Sequence, residues 1–217
     1  MSILFEDNHL IAVYKPSGVL TQGDKSKELS LMDLTKSYLK ERYKKPGNVF
    51  LGLLHRLDKP VSGVVLFAKT SKAASRMSKA FRERKVTKVY WALVEGVPDK
   101  KESTLKHFVF RESNRTKVFD KNLPGAKLAE LRYRVVREFD KYCLCEVVLL
   151  TGRKHQIRAQ LAHIGCPVLG DTLYGSSARL GNIALVAIKL EFSHPINNQI
   201  LTIEVPEQDF SSAFNIV

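Results

Sequence analysis

The stretch VVLFAKTSKAASRMSKAFRERKVTKVYWALV, residues 64–94, sets a cationic amphipathic segment between two short apolar runs. Residues 64–68 and 89–94 are continuous apolar runs of strand length, and each reads as a buried strand. Between them Lys69, Lys72, Arg76 and Lys79 recur at helical spacing, while Ala73, Met77, Ala80 and Phe81 form the opposite, apolar stripe. The spacing predicts a helix with one cationic face. With Arg82, Arg84, Lys85 and Lys88 added, the region carries a dense positive charge broken by a single acid, Glu83.

Outward from this stretch, strands alternate with few helices. Residues 3–5 and 9–14 read as two strands around the turn Glu6-Asp7-Asn8, and Lys15-Pro16-Ser17-Gly18 ends the second. Ser30 caps a predicted helix to about Tyr43, with Leu31, Leu34, Tyr38 and Leu39 on one side and Lys45-Pro46-Gly47 as the stop. Residues 100–128 read as a short strand at 106–110 followed by an exposed loop. Residues 129–136 and 142–150 alternate and form a hairpin about Phe139-Asp140-Lys141. At 152–165 the period becomes helical, with Ile157, Leu161 and Ile164 on one side and Gly165 as terminator. Strands at 183–192 and 199–205 complete the chain. Without a repeat or a linker, residues 1–217 are expected to form one domain, an α+β fold around a mixed, largely antiparallel sheet.

The 217 residues are 44% apolar and 26% charged, which excludes a disordered or fibrous chain, and 35 Lys+Arg against 22 Asp+Glu give a formal charge of +13. A chain this long buries roughly 70% of its unfolded surface and needs no disulfide or structural metal. No run approaches the ~20 apolar residues of a membrane span, and the start lacks a leader pattern, so a cytoplasmic location is expected. Cys143 and Cys145 would share one face of a strand and, with Cys166, fit no zinc spacing, which makes them small buried hydrophobes. The basic excess points to a polyanionic partner, because cations that neutralise phosphates release counterions.

The densest chemistry lies just before residue 64. His55, Arg56, Asp58 and Lys59 fall in a loop punctuated by Pro60 and Gly63, where rigid flanks hold working side chains. A protein-kinase loop would read His-Arg-Asp, whereas this chain reads His-Arg-Leu-Asp and has no Gly-rich loop, Asp-Phe-Gly or Walker A pattern. Nucleotide-driven chemistry is therefore not expected.

Residues 55–69, HRLDKPVSGVVLFAK, resemble the signature of the RluA-type pseudouridine synthases, H-R-L-D-x-x-T-S-G-x-x-x-x-A-K, with Val61 in place of the usual Thr. Residues 152–175, GRKHQIRAQLAHIGCPVLGDTLYG, are similar to a second family block, G-R-T-H-Q-I-R-V-H-L followed by G-x-P-I-x-G-D-x-x-Y-G. The opening residues 7–18, ending in Lys15-Pro16-Ser17-Gly18, and residues 88–96, KVYWALVEG, match two further family patterns. The likeness runs from Ile3 to Pro206. Residues 184–187, Ala-Leu-Val-Ala, stand where many members have L-H-A, and no S4-like domain is expected ahead of the catalytic block.

The resemblance implies the pseudouridine synthase fold, helices flanking a sheet with a catalytic cleft across it. It also implies isomerisation of specific uridines in ribosomal or transfer RNA. Such an enzyme breaks the glycosidic bond, turns the uracil and rejoins it through its fifth carbon, with no cofactor or metal. Asp58 matches the essential carboxylate, Arg158 the cation that keeps it ionised, and Tyr90 the tyrosine that stacks on the uracil. Arg56 matches a residue that fills the gap left when the nucleotide leaves its stack. With Arg56, the residues expected to contact RNA are His55, Lys69, Lys72, Arg76, Lys79, Lys88, Arg153 and Lys154. His55, His155 and His163 lack metal spacing and read as hydrogen-bonding scaffold. The expected assembly is a monomer on RNA, without membrane or nucleotide cofactor. The alternative reading is a non-catalytic basic RNA-binding or ribosome-assembly factor, which needs the cationic strip but not Asp58, Tyr90 and Arg158 together.

Overall fold

The computed structural model describes residues 1–25 and 27–206. In chain order the elements are β1 (Ile3–Glu6), β2 (Leu10–Lys15), α1 (Leu31–Arg42), β3 (Gly52–Leu53), β4 (Ser62–Ala68), α2 (Ser71–Arg82), β5 (Thr87–Glu95), β6 (Glu102–Glu112), β7 (Arg115–Phe119), β8 (Lys127–Glu138), β9 (Tyr142–Leu149), α3 (Gln156–His163), a single 3-10 turn at Thr172–Tyr174, β10 (Leu185–Ser193) and β11 (Ile200–Glu204). The fold is α+β and its strands are largely antiparallel, as the sequence pattern implies. Among the described residues two compact units result, one made of Met1–Val86 with residues 188–206, the other of Thr87–Ala187. No helix among the described residues is long and apolar enough to cross a membrane.

In the first unit β1 pairs with β2, β2 with β4, β3 with β4, and β10 with β11, all antiparallel. Burial explains the unbroken apolar runs: Leu10 to Val13 and Val64 to Ala68 are fully buried, so both strand faces are covered. Helix α2 forms where its spacing predicts. The Thr70 hydroxyl accepts from Ala73 N at its start, and Ala73 and Met77 are buried while Lys72, Arg76 and Lys79 lie on the exposed side. Helix α1 opens with a reciprocal cap: the Ser30 hydroxyl accepts from Asp33 N, and the Asp33 carboxylate accepts from Ser30 N at 3.1 Å.

In the second unit the strand order is β5-β9-β8-β6-β7, again antiparallel throughout. Register puts Tyr90 opposite Val147 and Val147 opposite Tyr133, so these three share one sheet face. Cys143 and Cys145 lie on that face, fully buried, with sulfurs 3.4 Å apart. Val186, at the L-H-A departure, is fully buried, an environment that suits Val without a polar partner.

Two expectations are corrected. Residues 100–128 are not a short strand and loop: β6 and β7 form a hairpin closed at Ser113, which takes the left-handed conformation at φ 51°. Its polar residues misled because few of its positions, Leu105, Val109 and Thr116, are buried, and one of these is itself polar. The helix expected at 152–165 starts only at Gln156, because His155 adopts φ 54° and cannot continue a right-handed turn.

Ser30→Ala should cost about 1 kcal/mol, because it leaves one N-terminal N–H of α1 without its acceptor. Chemical denaturation should show a lower midpoint with an unchanged slope, and an unchanged midpoint would show that the cap contributes nothing.

Candidate active site

The loop before β4 is braced by the segment after β2. Lys15, at the end of β2, is completely buried, and its ammonium donates to the carbonyls of Pro16 (3.0 Å), Val19 (2.7 Å) and Lys59 (3.0 Å). The Ser17 hydroxyl donates to Pro60 O at 2.7 Å and Gly18 N to Lys59 O at 2.9 Å. The buried Thr21 hydroxyl donates to Leu57 O and accepts from Leu57 N, at 2.9 and 3.2 Å. Asp58 sits in the middle of this frame, half-buried, its own carbonyl accepting from Val61 N at 3.0 Å. That backbone bond closes the turn with Val61 in place, so the turn does not depend on the family's Thr hydroxyl. Burial pushes the Lys15 ammonium down to about 8, with the Asp58 carboxylate working against that fall. Lys15, Ser17 and Thr21 carry no role in the sequence reading, although Lys-Pro after an apolar strand was their visible signal.

The other expected residues of this unit divide. Arg56 is exposed beside the loop. His55 belongs to the scaffold: its Nε2 accepts from Leu66 N at 3.0 Å and its ring stacks on Phe81 with centroids 5.0 Å apart. Lys69 directs its ammonium internally, to Glu6 (2.6 Å) and the Asp7 carbonyl (2.6 Å), with the Tyr43 ring 4.7 Å away. Lys72 and Lys79 are exposed, and Lys79 lies 3.8 Å from Glu83. Arg76 donates to the Pro195 carbonyl at 2.6 Å.

In the second unit Tyr90 is buried on β5. Helix α3 is tied to β8 through Gln160, whose amide donates to Ala129 O at 3.2 Å. Arg158, in the first turn of α3, is buried and forks onto Asp171, Nε to Oδ2 at 2.6 Å and Nη2 to Oδ1 at 2.8 Å, over the Tyr174 ring at 5.1 Å. Lys88 is half-buried with its ammonium beside Gly152, in space a side chain there would crowd. Arg153 donates through Nε to Leu128 O at 3.0 Å, and Lys154 is exposed.

One grouping of metal-ligand types was invisible in the spacing: ligand atoms of His107, Asp120 and His163 lie within 4.8 Å of one another. The Gln160 amide nitrogen donates to His107 Nδ1 at 3.0 Å, which puts the neutral ring's proton on Nε2, toward Asp120 at 3.8 Å. His163 Nε2 meets the same carboxylate oxygen at 2.9 Å. A metal needs the lone pair of each imidazole, and the proton on His107 Nε2 occupies the atom that faces Asp120, so the trio is not set up as a metal site.

Comparison with known proteins follows the geometry. The chain is 29% identical over 229 residues to a ribosomal large subunit pseudouridine synthase C of Buchnera aphidicola, covering 99% of this chain and 70% of that one. A namesake from Rickettsia prowazekii is 35% identical over 176 residues, 80% of this chain and 56% of the relative. An uncharacterized RNA pseudouridine synthase of Bacillus subtilis is 32% identical, covering 95% and 68%. Among solved structures, human RNA pseudouridylate synthase domain containing 4 superimposes with TM-score 0.81 at 24% identity over 99% of this chain and 92% of that chain, a likeness of fold. Human RNA pseudouridylate synthase domain containing 1 gives TM-score 0.75 at 26% identity, over 94% and 82%. These likenesses define the class, an isomerase that modifies RNA. The chain belongs to the RNA pseudouridylate synthase family, whose family model matches residues 9–163.

The Lys15 ammonium should titrate in the folded protein with a midpoint near 8, read from its 13Cε shift by NMR. Because Asp58 holds the Lys15 value up, Asp58→Asn should move that midpoint lower. A midpoint unmoved by the substitution would show that the two side chains do not sense each other.

Proposed function

We propose that this chain isomerises uridines of large-subunit ribosomal RNA to pseudouridine, with Asp58 as the essential carboxylate. One observation carries the reading: the family signature places its carboxylate at Asp58, and Asp58 stands in a loop whose backbone is bonded on both sides, at Leu57 and Lys59, by the frame from Lys15 to Thr21. A reacting group gains most from being held in place before the substrate arrives. The bond between ribose C1′ and uracil N1 breaks, one between C1′ and C5 forms, and the C5 proton leaves as N1 gains one. The change is redox-neutral and balances without a nucleotide cofactor, redox group or energy source.

Within this reading Tyr90 stacks on the uracil and Arg158 serves the ionised carboxylate. Arg56, exposed beside the loop, enters the space vacated by the extruded nucleotide. Lys72, Lys79 and Lys154 lie exposed and supply the phosphate contacts, with Lys88 and Arg153 nearer the protein interior. The ribosomal substrate is supported by the names of the curated relatives, which act on the large subunit. The family match runs over residues 9–163, which supports reading the chain as one pseudouridine synthase domain. A monomer working in the cytoplasm completes the proposal.

Asp58→Asn should abolish tritium release from RNA labelled at C5 of uracil while leaving RNA affinity within about threefold, since one carboxylate offers a polyanion little. Release within tenfold of wild type would refute Asp58 as the reacting group, and binding without release in the wild-type protein would favour the non-catalytic RNA-binding reading.

Replacing Lys72 and Lys79 together by Ala should weaken RNA binding and flatten its dependence on log salt by up to about 1.4 to 1.8 units, if both contact phosphate. An unchanged slope in a filter-binding series would show that this side of α2 faces away from the RNA.

A further inference from the structure

Two groups that have no assigned role, the Asp171 carboxylate and the Tyr174 ring, hold the Arg158 guanidinium. Its fork onto Asp171 fixes it in its own plane, and the Tyr174 ring beneath it fixes the plane itself. The residues doing this are immobilised in turn. Asp171 N donates to Val168 O at 3.0 Å, and the Asp171 carbonyl accepts from Tyr174 N (2.9 Å) and Ser176 N (3.1 Å). Gly170 supplies the left-handed turn before it, at φ +83°, where any side chain would strike the Asn182 carbonyl. The Tyr174 hydroxyl accepts from Thr116 N at 2.8 Å and meets His155 Nδ1 at 2.9 Å. Behind them Ser176 Oγ accepts from Gly170 N at 2.8 Å and donates to the Glu95 carboxylate, which also accepts from the N–H groups of Ser177 and Ala178.

Arg158 and Asp171 are both almost fully buried. A buried ion pair is a poor device for joining a helix to a loop, because apolar side chains of similar size hold as well without the desolvation of two charges. What an apolar pair cannot do is aim a guanidinium. We infer that Asp171 is the positioning residue of Arg158: its carboxylate, carried on the Gly170 turn and aligned by the Tyr174 ring, sets the orientation in which Arg158 serves the reaction. This rests on the reading of Arg158 as a residue of the isomerisation.

The test is a double-mutant cycle on single-turnover rates, with Asp171→Asn, Arg158→Lys and the double variant acting on C5-tritiated large-subunit ribosomal RNA from cells lacking the enzyme. Asp171→Asn keeps one acceptor and the side-chain shape but loses the ionic fork. It should lower turnover about a hundredfold, the cost of a misplacement near 1 Å, with half-saturating RNA concentration within about threefold of wild type. The double variant should be no slower than the slower single variant, because one residue acts through the other. Two separate losses that multiply would overturn the inference by making Asp171 a structural residue only. So would an Asp171→Asn enzyme of normal rate beside a crippled Arg158→Lys, which leaves the reading of Arg158 intact. If Arg158→Lys itself turns over normally, the reading of Arg158 falls and the inference with it. Should Asp171→Asn not accumulate as folded protein, Asp171→Glu, which keeps the charge and displaces the fork by one methylene, enters the same cycle with the same expected pattern.

Discussion

An ammonium group without water must find oxygen atoms, and the three that Lys15 finds belong to two separate stretches of backbone. Pro16 and Val19 lie in the turn after β2, and Lys59 lies in the loop that carries Asp58. Three donors meet three carbonyls, so the group is satisfied only when those stretches lie together. Gly18 N, the Ser17 hydroxyl and the Thr21 hydroxyl extend the same seam to Pro60 and Leu57. A loop with no regular hydrogen-bond ladder of its own thereby acquires fixed partners along its length. Nearly all buried backbone groups must be paired somewhere, and here the pairing supplies the rigidity that the chemistry asks of Asp58.

Much of this was legible in the chain, for reasons that differ from place to place. The buried strands announced themselves because β4 is covered on both faces and so reads as one apolar run. Helix α2 announced itself because one face is buried and the other solvated, which is the pattern a 3.6-residue period makes. The Asp58 loop stood out through its unusual density of chemistry between Pro and Gly. The β6–β7 hairpin did not, since a strand pair with one face in water can be built largely of polar residues, and its buried positions, Leu105, Val109 and the polar Thr116, are too few and too mixed to set a period. The start of α3 was misplaced because it turns on the backbone angle of His155, and nothing in the neighbouring composition marks a left-handed residue there.

Contacts between distant positions were the least legible. His163 reads alone as a helix residue, and only the fold sets it against Asp120 and His107. Arg158 carried a motif, but its fork to Asp171 crosses a helix end and a turn whose geometry depends on Gly170. The two departures from the family pattern illustrate the converse. Val61 and Val186 looked consequential in sequence. Val61 closes its turn through backbone alone, and Val186 occupies a site with no exposure at all.

The charges of the protein divide into two populations with different work. Of the basic residues expected to touch RNA, Lys69 makes an internal ion pair and His55 is part of the packing under β4. Lys72, Lys79 and Lys154 stand in solvent, where each contributes to a screened, additive attraction that any polyanion would feel. Lys15 and Arg158 are buried, and there a charge is tolerable only with fixed partners. Such a group has little long-range reach to RNA but a defined orientation. Affinity therefore belongs to side chains that can be exchanged with small loss of structure, and geometry to side chains that cannot. A formal charge of +13 sums both populations without telling them apart, so it could identify the class of partner and say nothing of the reaction.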